Sequence, residues 1–354
     1  MKQEIIDKIN RLANQDEPFL FVINYQGDKA FIRQLSDINP EECLFDFEGR
    51  GNSSDEMKNN SEKIAEISWQ IAPPLYEDYE RSFDIVKNNI MAGNSYLTNL
   101  TCKVPVSCNL SLEDIFHRAK GKYKLLLRRK RNLTPFVCFS PETFVRIKNG
   151  RIYSYPMKGT LDASLPDAEK QLMEDRKEAA EHATIVDLIR NDLSRVAENV
   201  RVDKYRYIDV LHTNKGDILQ TSSEISGRLL EDYQEHLGEI LDAQLPAGSI
   251  TGAPKDKTMQ IIHEAEGYDR GFYTGIMGIY DQGELNSAVM IRFIEEETSP
   301  VDFEADGKKN FKASEGMGDE ASRELYFKAG GGITSKSDCR KEYEEVIQKI
   351  YLPF

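Results

Sequence analysis

The sequence predicts an α+β chain, and three observations predict it. Apolar residues recur at helical spacing in several separate stretches, short apolar or alternating runs read as strands, and the runs pair through tight turns such as Asn149-Gly150. At 354 residues with 40% apolar content, the chain can bury a sizeable core as one large domain or two ordinary ones.

Taken in order, Ile5, Ile9 and Leu12 share a helical face, and residues 19–23 (FLFVI) read as a buried strand. Residues 49–62 are polar, turn-rich and aperiodic, which predicts a mobile loop. Tyr79, Phe83, Val86 and Ile90 line a helix that ends at Met91 before Ala92-Gly93, and strand character resumes over 95–104. Residues 112–119 form a short helix and 123–127 and 136–139 strands. Residues 143–147 and 151–155 make a hairpin that delivers Tyr155-Pro-Met-Lys158-Gly-Thr160. One long helix is expected over 168–196, with Glu178, Glu181 and His182 on one side and Ile185, Val186, Leu188, Ile189 and Leu193 as its apolar stripe. Short strands follow at 205–210, 218–222 and 224–227. Residues 245–255 (LPAGSITGAPK) then form a Gly- and Pro-rich loop ahead of a helix over 258–265, a setting that offers backbone amides to anions. Residues 275–280 and 287–294 make a second hairpin with Arg292 on its second strand. Residues 295–323 are charged and aperiodic, an expected exposed insertion. Finally AGGGI (329–333) leads through a loop into a C-terminal helix. There Tyr343, Val346, Ile347 and Ile350 face one way, and Glu342, Glu345 and Lys349 form a second stripe about 120° round the axis.

Composition excludes several classes. No apolar run reaches the eighteen or so residues that span a bilayer, and the N-terminus lacks the apolar core of a signal peptide, so a cytoplasmic protein is expected. The five cysteines, Cys43, Cys102, Cys108, Cys138 and Cys339, are scattered with no C-x-x-C pair and read as reduced packing residues. A net charge of −14 repels nucleic acid and anionic membranes. It also repels an anionic substrate, unless a metal ion or a local cluster of Lys and Arg reverses the field.

Three stretches could carry chemistry. A lysine titrates near pH 10.4, so a neutral amine at Lys158 costs roughly 4–5 kcal/mol at pH 7 unless burial or a neighbouring cation lowers its pKa. The bland alternative is a solvated turn residue. Glu178 with Glu181, and Glu342 with Glu345, set glutamates three apart on two helices remote in sequence. Such oxygens suit Mg²⁺, which takes one or two protein carboxylates, keeps several waters and spends its remaining positions on an anionic ligand. The alternative is an exposed salt-bridge face, with Glu345 and Lys349 at i,i+4. The third stretch, Gly248 to Lys255, resembles a phosphate loop but fails its template: three residues separate its glycines, Ala-Pro intervenes, and Asp256 follows the lysine. Nor do Gly330, Gly331 and Gly332 have dinucleotide-fingerprint spacing.

Seven ordered motifs resemble those of the chorismate-utilising enzymes, and within them the component I subunits of aminodeoxychorismate (para-aminobenzoate) synthase. They are SPETF (140–144), PMKGT (156–160), EHATIVDLIRNDLSRV (181–196), LPAGSITGAPK (245–255), RGFYTGIMG (270–278), IRF (291–293), and AGGGI (329–333) followed by EYEEVIQK (342–349). The resemblance covers the chain from about Tyr79 onward. It implies two antiparallel sheets packed roughly orthogonally with helices outside, residues 76–354 being the catalytic domain and 1–75 an N-terminal scaffold segment of the same globule.

The resemblance also implies a Mg²⁺-dependent enzyme of folate biosynthesis that aminates chorismate to 4-amino-4-deoxychorismate. Glu181 and Glu345 match direct metal ligands, and Glu342 and Glu178 match acids that hold metal-bound water. Glu142 matches the acid that protonates the departing C4 hydroxyl. Tyr273 and Arg292 match residues holding the enolpyruvyl carboxylate, Gly330 and Gly332 offer amides to the substrate, Gly159 and Thr160 flank the nucleophile, and Lys349 sits near the metal-bound carboxylate. Lys158 matches the lysine that attacks C2 before ammonia enters at C4, where anthranilate synthases usually have alanine. Isochorismate and salicylate synthases use a lysine where this chain has Leu97, and many relatives have histidine where it has Gln220. No L-L-E-S tryptophan signature, no G-x-C-x-G glutaminase elbow and no pyridoxal-phosphate site is visible. Ammonia is therefore expected from a separate glutamine amidotransferase subunit, and pyruvate loss from a separate lyase. The alternatives are anthranilate synthase component I and a catalytically silent chorismate-binding homologue.

Overall fold

The computed structural model describes residues 1–53, 66–128, 133–213, 216–298 and 323–354. In chain order the strands are β1 Phe19–Ile23, β2 Ala30–Gln34, β3 Cys43–Phe47, β4 Arg50–Gly51, β5 Trp69–Ile71, β6 Leu97–Cys108, β7 Tyr123–Leu127, β8 Phe136–Ser140 and β9 Thr143–Lys148. They continue as β10 Arg151–Ser154, β11 Met157–Asp162, β12 Glu198–Thr213, β13 Gly216–Arg228, β14 Gly252–Ala253, β15 Ile276–Asp281, β16 Glu284–Val289, β17 Phe293–Thr298 and β18 Arg323–Thr334. The helices are α1 Gln3–Asn14, α2 Tyr76–Met91, α3 Leu112–Arg118, α4 Ala168–Glu174, α5 Arg176–Leu193, α6 Leu237–Gln244, α7 Gly248–Thr251, α8 Lys255–Glu266 and α9 Cys339–Gln348.

The strands build two nine-stranded antiparallel sheets. One runs β11-β13-β10-β9-β16-β15-β1-β2 with β12 added beside β13; the other runs β14-β6-β18-β17-β8-β7-β3-β4 with β5 beside β6. Strand β1 shows how the sheets meet. Its five residues are all buried, and period-two alternation sends Leu20 and Val22 one way and Phe19, Phe21 and Ile23 the other. Leu20 and Val22 pack with Phe45, Leu125, Phe136 and Phe293 of the second sheet, so a core lies between the sheets. Phe19, Phe21 and Ile23 pack under α1, α5 and α6. The outer face of the second sheet is covered by α2, α3, α8 and α9. Residues 1–75 contribute strands to both sheets. Among the described residues, no helix is long and apolar enough to cross a membrane.

Several elements differ from the sequence expectation. The helix expected over 168–196 breaks at Asp175, whose carboxylate accepts the backbone N–H groups of Lys177 and Glu178 and so caps α5. The three short strands after it are two long ones, β12 and β13, with register shifts along β12. As expected, residues 329–333 lead through a loop into the C-terminal helix; Gly330, Gly331 and Gly332 themselves lie inside β18, paired with Thr101, Leu100 and Asn99 of β6. A Cβ on Gly330 would come within 2.5 Å of the Thr101 methyl and 2.6 Å of the Leu100 carbonyl, so a side chain there would drive the two strands apart.

Arg292 is not on a hairpin strand. The hairpin closes as β15–β16, and residues 290–292 carry the chain across to β17 in the other sheet, with Arg292 in the left-handed conformation at φ 55°. Of the insertion expected at 295–323, residues 295–298 belong to β17 and Arg323 opens β18; 299–322 lie outside the described residues, as do 54–62 of the expected loop.

Candidate active site

A cleft of about 570 Å³ opens where the ends of β6 and β18 in one sheet meet β9 and β11 of the other, walled by α5 and the α6–α7 turn. Lys158, Glu142, Glu181, Ser249, Leu97 and Gly332 line it.

Lys158 enters from β11. Its Nζ lies 2.9 Å from Glu181 Oε2, the two side chains being 36% and 18% exposed, and Lys177 Nζ approaches the other Glu181 oxygen at 3.7 Å. Burial pulls the Lys158 pKa down, but Glu181, Glu178 and Glu345 outweigh it and hold the amine above the ordinary lysine value. The sequence left the charge of this amine to its surroundings. The neighbours are acids, and the group is an ammonium ion.

The two acidic helices converge on that ammonium. Burial, then the Glu181 charge, pushes the Glu178 carboxyl up despite Lys158; burial and Glu345 do the same to Glu342, which also feels Lys158. For Glu345, burial is outweighed by Lys349, whose Nζ is 2.8 Å away, and its carboxyl sits below the usual range. Lys349 also donates to the Gly330 carbonyl at 2.9 Å, which ties α9 to β18. Gly159, at φ 88°, sits against the same acids: a Cβ there would lie 3.1 Å from Glu178 Oε2.

Glu142 occupies the turn between β8 and β9, and its Oε1 accepts the Ser249 hydroxyl at 2.6 Å. Burial raises its pKa, against the opposing pull of Ser249, Arg292 and Lys349. A carboxyl so placed keeps its proton above the usual carboxylate range, the condition for a general acid.

Other expected residues lie at or beyond the cleft rim. Arg292 places its guanidinium over the Tyr351 ring at 5.6 Å, within electrostatic reach of Glu142 and Tyr273. Tyr273 is 3% exposed and packs near Phe293, its hydroxyl pKa raised by burial. Neither Arg292, Tyr273, Gly330 nor Lys349 lines the cleft, and Thr160 is exposed on β11, opposite Gln220.

Two features were not read from the sequence. One is Ser249, buried in a motif read only for its backbone. The other is the Asp192–Lys255 pair, 3.0 Å apart with both side chains 11% exposed, which ties the end of α5 to the start of α8. Both ions lie inside quoted motifs, yet only the fold makes them partners.

Among the described residues, no three or more His, Cys, Asp or Glu side chains are gathered as a metal cage. Mg²⁺ does not need one, since it takes one or two protein carboxylates and fills its shell with water and ligand oxygens. The donor set fits such an ion: four hard carboxylates from two helices, of which Glu178 and Glu342 are held above their ordinary pKa by burial and by a neighbouring glutamate.

The sequence profile described as "chorismate binding enzyme" matches residues 13–307. The chain belongs to the chorismate-binding enzyme family. Within this family it is 46% identical over 351 residues to a Haemophilus influenzae protein named an uncharacterized PabA-like protein, covering 99% of this chain and 97% of that one. It is 30% identical over 292 residues to the aminodeoxychorismate synthase component 1 of Salmonella typhimurium, covering 77% of this chain and 56% of the relative. The crystal structure of anthranilate synthase component I from Streptococcus pneumoniae superposes with a TM-score of 0.61 at 25% identity, over 80% of this chain and 58% of that one. As a chorismate-utilising enzyme, the protein must hold a dicarboxylate despite its net charge of −14. Lys158 lines the cleft, and Arg292 and Lys349 lie within electrostatic reach of Glu142.

Proposed function

We propose that the protein is component I of an aminodeoxychorismate synthase, replacing the C4 hydroxyl of chorismate by an amino group, with ammonia entering and water leaving. The observation that carries the reading is that the PMKGT lysine Lys158 and the half-buried acid Glu142 line one cleft. Glu142 is the acid for the departing hydroxyl, and burial raises its pKa toward the protonated form that task needs. Lys158 is the nucleophile toward C2. Held as an ammonium beside Glu181, it first gives up a proton to solvent. The amine then adds at C2 as the ring double bond shifts and the C4–O bond breaks, the hydroxyl leaving as water with the Glu142 proton. Ammonia next adds at C4, the double bond shifts back and the C2–N bond breaks, Lys158 leaving with the proton that ammonia gives up. Arg292 and Lys349 supply positive charge for the substrate carboxylates. Leu97, apolar and at the cleft wall, offers no base for water.

Mg²⁺ would be held by Glu181 and Glu345, with Glu342 and Glu178 holding its waters. When bound it supplies positive charge for the substrate's ring carboxylate. Ammonia would come from a glutamine amidotransferase subunit.

The test is a product assay with purified chain, chorismate, Mg²⁺ and an ammonium salt. Aminodeoxychorismate by mass spectrometry supports the reading. Anthranilate with pyruvate moves the protein to anthranilate synthase component I, and no turnover makes it a silent homologue.

A further inference from the structure

The way β11 presents Lys158 has a local cause. Met157 pairs with Ser222 and Thr160 with Gln220, so Lys158 and Gly159 together oppose the single residue Thr221. The extra residue is a bulge, a device that re-aims a side chain away from the regular pleat. Gly159 takes up the distortion at φ 88°. Thr221 is fully buried, and its hydroxyl donates to the Lys158 carbonyl across the bulge.

A second layer backs this contact. Ser223 Oγ accepts the Arg206 backbone N–H at 2.9 Å and hydrogen-bonds with His182 Nε2 at 2.7 Å. Burial, then the Arg206 charge, lowers the His182 pKa against the pull of the Lys158 backbone. His182 follows Glu181 in α5, so the histidine anchors the helix to the strand at the level of the Lys158–Glu181 contact.

We propose that Thr221 is a positioning residue which, by gripping the Lys158 carbonyl inside the bulge, directs the Lys158 amine into the cleft and onto Glu181. The proposal rests on the reading of Lys158 as the nucleophile, but the placement of its amine can be measured without turnover.

Thr221→Val removes the hydroxyl at nearly constant shape, Thr221→Ala removes it without adding bulk, and Thr221→Ser keeps it. Each is assayed for chorismate amination with ammonium and Mg²⁺, and its folding is checked by thermal melting. In parallel, the rate at which trinitrobenzenesulfonate modifies Lys158 is read by peptide mapping against the exposed Lys148. The valine and alanine variants should lose about 10- to 100-fold in kcat with KM within about twofold, as expected for a misplaced reacting group. Their Lys158 should be modified severalfold faster, having left Glu181, whereas the serine variant should resemble wild type in both measurements. Unchanged Lys158 modification in the valine and alanine variants, whatever their turnover, overturns the proposal. So does a serine variant as impaired as they are. If wild type makes no aminodeoxychorismate, the amination reading fails on its own, and the modification rates still decide the role of Thr221.

Discussion

Replacing Lys158 with alanine should tighten Mg²⁺ binding while abolishing amination. One Glu181 oxygen is already taken by the Lys158 ammonium at 2.9 Å, and the same ammonium acts on Glu178, Glu342 and Glu345. A divalent ion held by Glu181 must displace or tolerate that charge. Two unit charges about 4 Å apart interact with ~4 kcal/mol at an effective dielectric constant of ~20. Lys158 is 36% exposed, so solvent screens much of this. The net value belongs between the ~0–1 kcal/mol of an exposed pair and the 3–5 kcal/mol of a buried one, at about 1–2 kcal/mol.

Removing the amine should therefore lower the Mg²⁺ dissociation constant by about 5- to 30-fold. Calorimetric titration at low ionic strength, without chorismate, measures this directly. The Mg²⁺-induced rise in melting temperature should be larger in Lys158→Ala than in wild type, because ligand stabilisation grows with occupancy. Glu181→Gln combined with Glu345→Gln should abolish both effects. Weaker Mg²⁺ binding by Lys158→Ala, or undiminished binding by the double glutamine variant, would show that these acids do not share one cation.

Glu142 should give amination a falling high-pH limb: a carboxyl raised by burial stays protonated at pH values where an ordinary one has ionised, and activity is lost as pH rises through its elevated pKa. Because the Ser249 hydroxyl favours the ionised form, Ser249→Ala should move that limb to higher pH while lowering the plateau, and Ser249→Thr should restore it; a limb that stays put would dissociate the serine from the acid. Asp192→Asn strands the Lys255 ammonium in a site only 11% exposed and should lose about 3–5 kcal/mol in urea unfolding, whereas exchanging both partners for apolar residues of similar volume should recover most of it. Gly159→Ala meets both a φ of 88° and Glu178 Oε2 at 3.1 Å, so a stability loss of about 1–3 kcal/mol together with lost turnover is expected from denaturation and product assays.

Local signals were read well and long-range ones were not. The Asn149-Gly150 turn, the β1 run and the stripe of Tyr79, Phe83, Val86 and Ile90 each determine their own element, because the apolar period and the turn chemistry act within a few residues. The break at Asp175 was equally local, an aspartate capping two amides, but the periodicity on either side is continuous and hid it. The fate of Arg292 was not local at all. Residues 287–294 have one uninterrupted strand-like pattern, and what divides them is that β16 finds its partners in one sheet and β17 in the other. A pattern of side chains cannot say which of two sheets will accept a strand.

The site divides in the same way. Glutamates three apart on a helix are legible as a stripe, whereas their meeting depends on β11 and α5 approaching the face that α9 also reaches through β18. The identity of Lys158 was equally plain and its state was not, since a lysine's charge is set by what surrounds it. Burial alone would lower its pKa; the acids from α5 and α9 reverse the sign. The acids of α5 and α9 thus stand beside the cleft with Lys158, Lys177 and Lys349 among them. Exchange of those ammonium groups for a divalent ion is the economical way to give the same acids a catalytic use, and it is why the Mg²⁺ affinity of Lys158→Ala, more than its loss of turnover, discriminates a working site from a structural salt-bridge cluster.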